Sequence, residues 1–200
     1  MIDTIIFDFG GVLVDWNPRY VYRDYFRDDE KMEWFLANIC TDEWNAGQDR
    51  GRSLQEATML LTEQFPEWEK EIGMYYGEWK KMLHDAIHET VEILYKLKEE
   101  YKVYGLTNWS AETFPIALER FEFFQVFDGI LVSGKERLIK PDPKIFELMM
   151  SRFNLKPEEC LFIDDNINNI LASRAFGIET IHFESPEQLR KKLIELGMFN

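Results

Sequence analysis

Four polar clusters lie far apart along the chain, yet each stands just past a short apolar run. They are Asp8 with Gly10-Gly11, Thr107-Asn108, Lys140 ahead of Pro141-Asp142-Pro143, and Asp164-Asp165-Asn166. Three carboxylates, a lysine, a hydroxyl and an amide form a set suited to an anionic group. Within a few ångströms of one another in a dry site, three carboxylates could not all stay ionised without a cation. Hard carboxylate oxygens with few protein ligands suit Mg2+, which keeps several waters and pairs with substrate phosphate.

The elements that must position these clusters are legible as a rhythm. Thr4-Ile5-Ile6-Phe7 is short, β-branched and apolar on both parities, the pattern of a strand buried on both faces of a parallel sheet. Similar runs recur at Lys102–Leu106, Gly129–Val132, Leu161–Ile163 and Glu179–His182. Between them lie helical patterns: Val91, Leu94, Leu97 and Tyr101 share one stripe, and Asp142-Pro143 and Ser185-Pro186 each read as an N-cap plus first-turn proline. Strands alternating with helices predict an α/β fold with a doubly wound, Rossmann-like parallel sheet. Ligands of such sheets bind beyond the carboxyl ends of the strands, where all four clusters fall.

Residues 15–88 break the rhythm. They show no convincing strand, read as helices over Tyr20–Ile39, Ser53–Gln64 and Trp68–Leu83, and hold five of the six tryptophans. This block reads as a small α-helical cap inserted after the first strand, leaving residues 1–14 and 89–200 as the core domain. The cap aromatics are mostly core at helical spacing; Trp16 and Trp44 are the two expected to face a ligand.

Composition narrows the function classes. Acidic side chains number 37 against 23 basic ones, for a net charge of -14. Such a surface repels phosphate backbones and anionic lipids, which argues against nucleic-acid and membrane partners. An anionic substrate would therefore need local positive features, which Lys140 and a metal would provide. The two cysteines, Cys40 and Cys160, have no metal-site spacing and suggest a reducing compartment. The N-terminus lacks a basic leader and no apolar stretch reaches spanning length, so a cytoplasmic protein is expected.

In order and placement, Asp8, Thr107, Lys140 and Asp164-Asp165 resemble the four motifs of the haloacid dehalogenase-like (HAD) hydrolase superfamily. The resemblance covers essentially the whole chain, with residues 15–88 in the place of the helical cap. DFGGVLVDWN, TNWS, KPDP and IDDN most resemble a bacterial branch of sugar-phosphate phosphatases of the α-glucose-1-phosphate phosphatase kind. The resemblance implies a Mg2+-dependent phosphatase acting on a small phosphorylated metabolite, plausibly a sugar phosphate. Asp8 would be the nucleophile, passing through an aspartyl-phosphate. Thr107 and the Asn108 backbone N–H would hold the phosphoryl oxygens, and Lys140 would neutralise charge there. Asp8, Asp165 and the Gly10 backbone carbonyl would ligate Mg2+, while Asp164 would ligate it or orient Lys140.

Gly10 departs from the pattern. Many phosphatases of the superfamily carry there a second aspartate that protonates the leaving group and activates water. A glycine keeps the carbonyl and deletes the acid, so proton transfer must come from elsewhere, with Asp15 and Asp49 as the nearest candidates, or be weak. Two other functions share this scaffold: a 2-haloacid dehalogenase, whose chemistry needs no metal, and a non-catalytic phosphatase-like binding protein. A receiver-type signalling domain fails on order, because there the acidic pair comes first. His84 and His88, four apart, lack a third ligand and read as surface residues. Arg50 and Arg52 read as solvated, and oligomeric state and protein partners are not legible.

Overall fold

A computed structural model describes residues 1–199. In chain order, β1 (Thr4–Phe7) and β2 (Val14–Trp16) are followed by six helices: α1 (Arg19–Phe26), α2 (Asp29–Asn38), α3 (Asp42–Asp49), α4 (Leu54–Gln64), α5 (Glu69–Gly77) and α6 (Trp79–Met82). Then come β3 (Leu83–Ala86), α7 (His88–Lys98), β4 (Lys102–Thr107) and α8 (Phe114–Arg120). The chain continues through β5 (Gly129–Val132), α9 (Ser133–Glu136), α10 (Pro143–Phe153), β6 (Cys160–Asp164), α11 (Ile167–Ala175), β7 (Glu179–His182) and α12 (Pro186–Glu195).

Five strands form one parallel sheet in the order β5-β4-β1-β6-β7. All four residues of β1 are buried, as a strand covered on both faces requires. Helices cover the two faces through separate hydrophobic clusters. Ile6, Leu106, Phe146, Met149 and Phe162 pack on one face, and Ile5, Phe7, Leu94, Leu161 and Ile163 on the other. The second cluster continues into the helical block through Tyr22, Phe35, Tyr75 and Trp79, so block and sheet share apolar packing.

The block leaves and rejoins the core through a ribbon that the sequence pattern does not announce. β2 and β3 pair antiparallel, with Val14 opposite Ala86 and Asp15 opposite Asp85. Three or four residues are too few for a periodicity to register, and only the partner strand defines them. The helix expected over Tyr20–Ile39 is two helices. Arg27 ends α1 in the left-handed region at φ 52°, and the Asp28 side chain accepts the Lys31 N–H to start α2. Helix α3 is also new: Thr41 caps it by accepting the Trp44 N–H, and it carries Asp49 at its last turn rather than in a loop.

Candidate active site

The parallel register brings the clusters together. Phe7 lies beside Gly105 on β4 and Ile163 on β6, and the Asp8 N–H donates to the Ile163 carbonyl at 2.9 Å. Asp8 therefore emerges between the ends of β4, which carries Thr107, and β6, which carries Asp164. This is the carboxyl edge of the central strands. Asp8, Thr107, Lys140 and Asp164 are all buried there, and Asp165 is exposed at the rim.

Lys140 reaches this point from the loop before α10. Its Nζ stands 3.0 Å from Asp8 Oδ1 and 2.6 Å from Asp164 Oδ2. Burial opposes the ammonium, but Asp164 and Asp8 outweigh it and raise its pKa, so Lys140 remains charged. Its loop is fixed by a reciprocal pair: the Lys140 N–H donates to Asn108 Oδ1 at 2.8 Å, and Asn108 Nδ2 donates to the Lys140 carbonyl at 2.9 Å. Asp164 is held in turn by Asn169 Nδ2, 3.0 Å from both its oxygens, and by the Asn166 N–H at 2.8 Å. These fixed partners cost no reorganisation when charge develops nearby.

Asp8, Asp164 and Asp165 each offer a carboxylate oxygen, all within 4.8 Å of one another. Burial pushes the Asp8 carboxyl up to about 8; Lys140 pulls it back, and Asp164 and Asp165 push it further. One lysine therefore does not balance the three acids, and a hard divalent cation suits the remaining oxygens. The backbone leaves room for it. Gly11 has φ +74°, and a Cβ there would lie 2.3 Å from Asp165 Oδ2, so the glycine frees the space that carboxylate occupies. At Gly10 the opposite holds: φ is outside the left-handed region and a Cβ would meet nothing within 4 Å.

Above Gly10 lies a cavity of about 110 Å³ between core and helical block. Gly10, Asn108 and Trp109 form its floor, and Trp16, Asn45, Asp49 and Trp79 its roof. The indole N–H groups of Trp16 and Trp79 are both buried without a partner. Trp44, expected to face the ligand, instead packs against Tyr75 and Tyr76 and donates its indole N–H to the Ala57 carbonyl. Asp15 accepts the Tyr20 hydroxyl at 2.7 Å on the β2–β3 ribbon and does not line the cavity, whereas Asp49 does. Arg52 is tied down, with its guanidinium donating to Gln48 Oε1 and the Trp44 carbonyl. His84 and His88 are exposed.

Sequence reasoning missed several supporting groups. Ser133 Oγ accepts the Trp109 N–H and donates to the Asp49 carbonyl, joining floor to roof. The Asn108 side chain serves the Lys140 loop, leaving its backbone for other work. Asn169 had a faint signal as an amide in the first turn of the helix after Asp164-Asp165. Ser133 and Trp79 had none, because their neighbours come from segments distant in the chain.

A site of acids and one lysine at the carboxyl edge of a parallel sheet, roofed by a helical insert, defines a class of hydrolase. A family model for haloacid dehalogenase-like hydrolases matches residues 2–177, and the chain belongs to that family. It is 28% identical to the sesquiterpene phosphatase astK of Aspergillus oryzae over 179 residues, covering 88% of this chain and 87% of that protein. It is 25% identical to the pyrophosphatase PpaX of Bacillus cereus over 190 residues, covering 90% of this chain and 82% of that protein. Its fold matches the HAD family enzyme bt-2542 of Bacteroides thetaiotaomicron at a TM-score of 0.73 and 22% identity, covering 92% and 94% of the two chains. That enzyme has also been solved with magnesium and inorganic phosphate.

Proposed function

We propose that the protein is a Mg2+-dependent phosphatase that hydrolyses a small phosphorylated metabolite through an aspartyl-phosphate on Asp8. The observation that carries this reading is the buried Lys140 bridging Asp8 and Asp164, beside three carboxylates converging within 4.8 Å. Asp8, Asp165 and the Gly10 carbonyl would hold Mg2+, with Asp164 orienting Lys140 and completing the acidic ring. The bound cation would offset negative charge on the phosphoryl oxygens.

In this reading Asp8 attacks phosphorus in line with the leaving oxygen. Thr107 and the Asn108 backbone N–H hold phosphoryl oxygens, and the Lys140 ammonium neutralises charge as it develops. Residues 15–88 act as the cap domain, whose closure excludes bulk water from the transfer. Two relatives are named as phosphatases, which supports phosphate esters or anhydrides as substrates. The finer reading, a sugar phosphate, rests on the resemblance of the four motifs and on the cavity roof. Aromatic faces of Trp16 and Trp79 suit a ring, and their unpartnered N–H groups suit its oxygens.

The test is a screen of phosphorylated metabolites for phosphate release, with Mg2+ and with EDTA. Turnover that needs Mg2+ and is lost in Asp8→Asn is the expected result. No turnover of any ester by a protein that still binds Mg2+ overturns the reading in favour of a non-catalytic binding protein.

A further inference from the structure

We infer that Asp49 is the acid–base residue of this site, acting from the helical block in place of the carboxyl that Gly10 lacks. The inference rests on the phosphatase reading above and adds to it the source of the proton. Of the two acids the sequence offers, only Asp49 lines the cavity with Gly10. A Cβ at Gly10 would meet no atom within 4 Å, so that position opens on the cavity that Asp49 also lines. The backbone of Asp49 is also anchored. The Asp49 carbonyl accepts Ser133 Oγ at 2.6 Å, and that hydroxyl oxygen accepts the N–H of Trp109, which follows the phosphate-binding pair Thr107-Asn108. This strap fixes Asp49 to the core edge where the transfer occurs.

The surroundings keep the proton available. Burial pushes the Asp49 carboxyl up to about 7, and the Ser110 backbone N–H and Lys140 pull it only partly back. The titratable groups facing it are Lys140 from the core and the Tyr75 and Tyr76 phenols from α5; Arg50 and Arg52 flank it in sequence. The steps balance as follows. The Asp8 carboxylate forms a bond to phosphorus while the bond to the leaving oxygen breaks, and that oxygen takes the Asp49 proton. The Asp49 carboxylate then accepts a proton from a water whose oxygen attacks the aspartyl-phosphate. The Asp8 carboxylate leaves, phosphate departs, and Asp49 is protonated again.

The experiment uses a series of substituted phenyl phosphates, from p-nitrophenyl to unsubstituted phenyl, with the Mg2+-loaded full chain. Wild type is expected to show kcat/KM that varies little with the leaving group. Asp49→Asn should lose about 10²-fold or more on phenyl phosphate and much less on p-nitrophenyl phosphate, whose alcohol departs without help. Its kcat should fall for both, with a burst of phenol stoichiometric with enzyme, because water attack on the aspartyl-phosphate is slowed. The high-pH limb of wild-type kcat/KM on phenyl phosphate, falling through about pH 7, should be absent from the variant. Gly10→Asp in the Asp49→Asn background should restore the shallow dependence.

Equal losses of kcat/KM on both esters, or no loss on either, overturn the role of Asp49 while leaving the phosphatase reading standing. Wild type that releases phosphate from neither these esters nor any screened metabolite removes both. Carboxyl carbon NMR of the wild type adds a readout free of turnover. A midpoint for Asp49 near neutrality supports the inference, and one in the ordinary carboxylate range near 4 overturns it.

Discussion

The roof of the cavity and the charged cluster at its core side are built on opposite principles. On the core side, Asp8, Lys140, Asp164, Asn108 and Asn169 form a closed set of short ion pairs and hydrogen bonds at the ends of adjacent parallel strands. On the roof, Trp16, Trp79 and Asp49 stand on short helices and a two-stranded ribbon, held mainly by aromatic packing. Their polar groups are incompletely used, with two indole N–H groups orphaned. Preorganised charge suits a step that is the same for every substrate, the handling of phosphoryl oxygens. Loosely satisfied donors suit what differs between substrates, the leaving group. On the phosphatase reading the floor handles the phosphoryl group, and the roof handles the leaving group, with Asp49 supplying its proton.

The largest expected effect strikes the floor. Asp8→Asn should lower phosphate release by on the order of 10⁴-fold or more, because the amide neither attacks phosphorus nor balances a cation. Its melting temperature should not fall, since the change removes a buried charge whose ionisation the fold opposes. Substantial residual release would break the division between floor and roof at its root.

Next is Lys140→Met. Losing the buried ammonium leaves Asp8 and Asp164 without a counter-charge, and urea denaturation in EDTA should report a loss of about 3–5 kcal/mol. The pH dependence has a defined sign. The Asp8 carboxyl is raised in the folded state, so between its unfolded value near 4 and about 8 the folded protein holds the proton more tightly. Stability should fall as pH rises through that window. In the variant, where Lys140 no longer opposes the shift, the fall should continue to higher pH. A flat profile would mean that the floor is wetter than its geometry indicates.

A smaller effect separates two adjacent glycines. Gly11→Ala should cost about 1–2 kcal/mol from its left-handed backbone alone, and should weaken Mg2+ binding by displacing Asp165. Gly10→Ala meets open space and should change stability by no more than about 0.5 kcal/mol. Mg2+ titration calorimetry and thermal melts on both variants check this, and similar Mg2+ affinities would show that Asp165 is not a ligand.

The smallest effect belongs to the roof. Trp16→Phe keeps an aromatic face and removes one N–H, so hydroxyl-rich esters should lose about 5- to 10-fold in kcat/KM relative to p-nitrophenyl phosphate. Taking the ratio cancels any general loss from imperfect packing. An unchanged ratio would place the substrate's oxygens elsewhere in the cavity.

By itself the sequence determined the alternation of strands and helices, because short runs apolar on both parities and stripes of period 3.6 are local properties. It also marked Asp8, Thr107 and Asp164-Asp165 as strand-end residues and Lys140 as a loop residue beyond the third strand of its pattern. It located the insert by the loss of that rhythm, and the Pro143 and Pro186 helix starts by their caps. The β2–β3 ribbon, the Asn108–Lys140 pair and the Trp109–Ser133–Asp49 strap were decided only in the tertiary structure. Each joins residues between 24 and 84 positions apart or pairs segments too short to show a period. The same holds for the choice between Asp15 and Asp49. Both are acids of the insert, and what separates them is a contact of each, the Tyr20 hydroxyl on Asp15 and the Ser133 hydroxyl on the Asp49 backbone. Such contacts depend on how the insert folds back over the sheet, a packing outcome that no local pattern encodes.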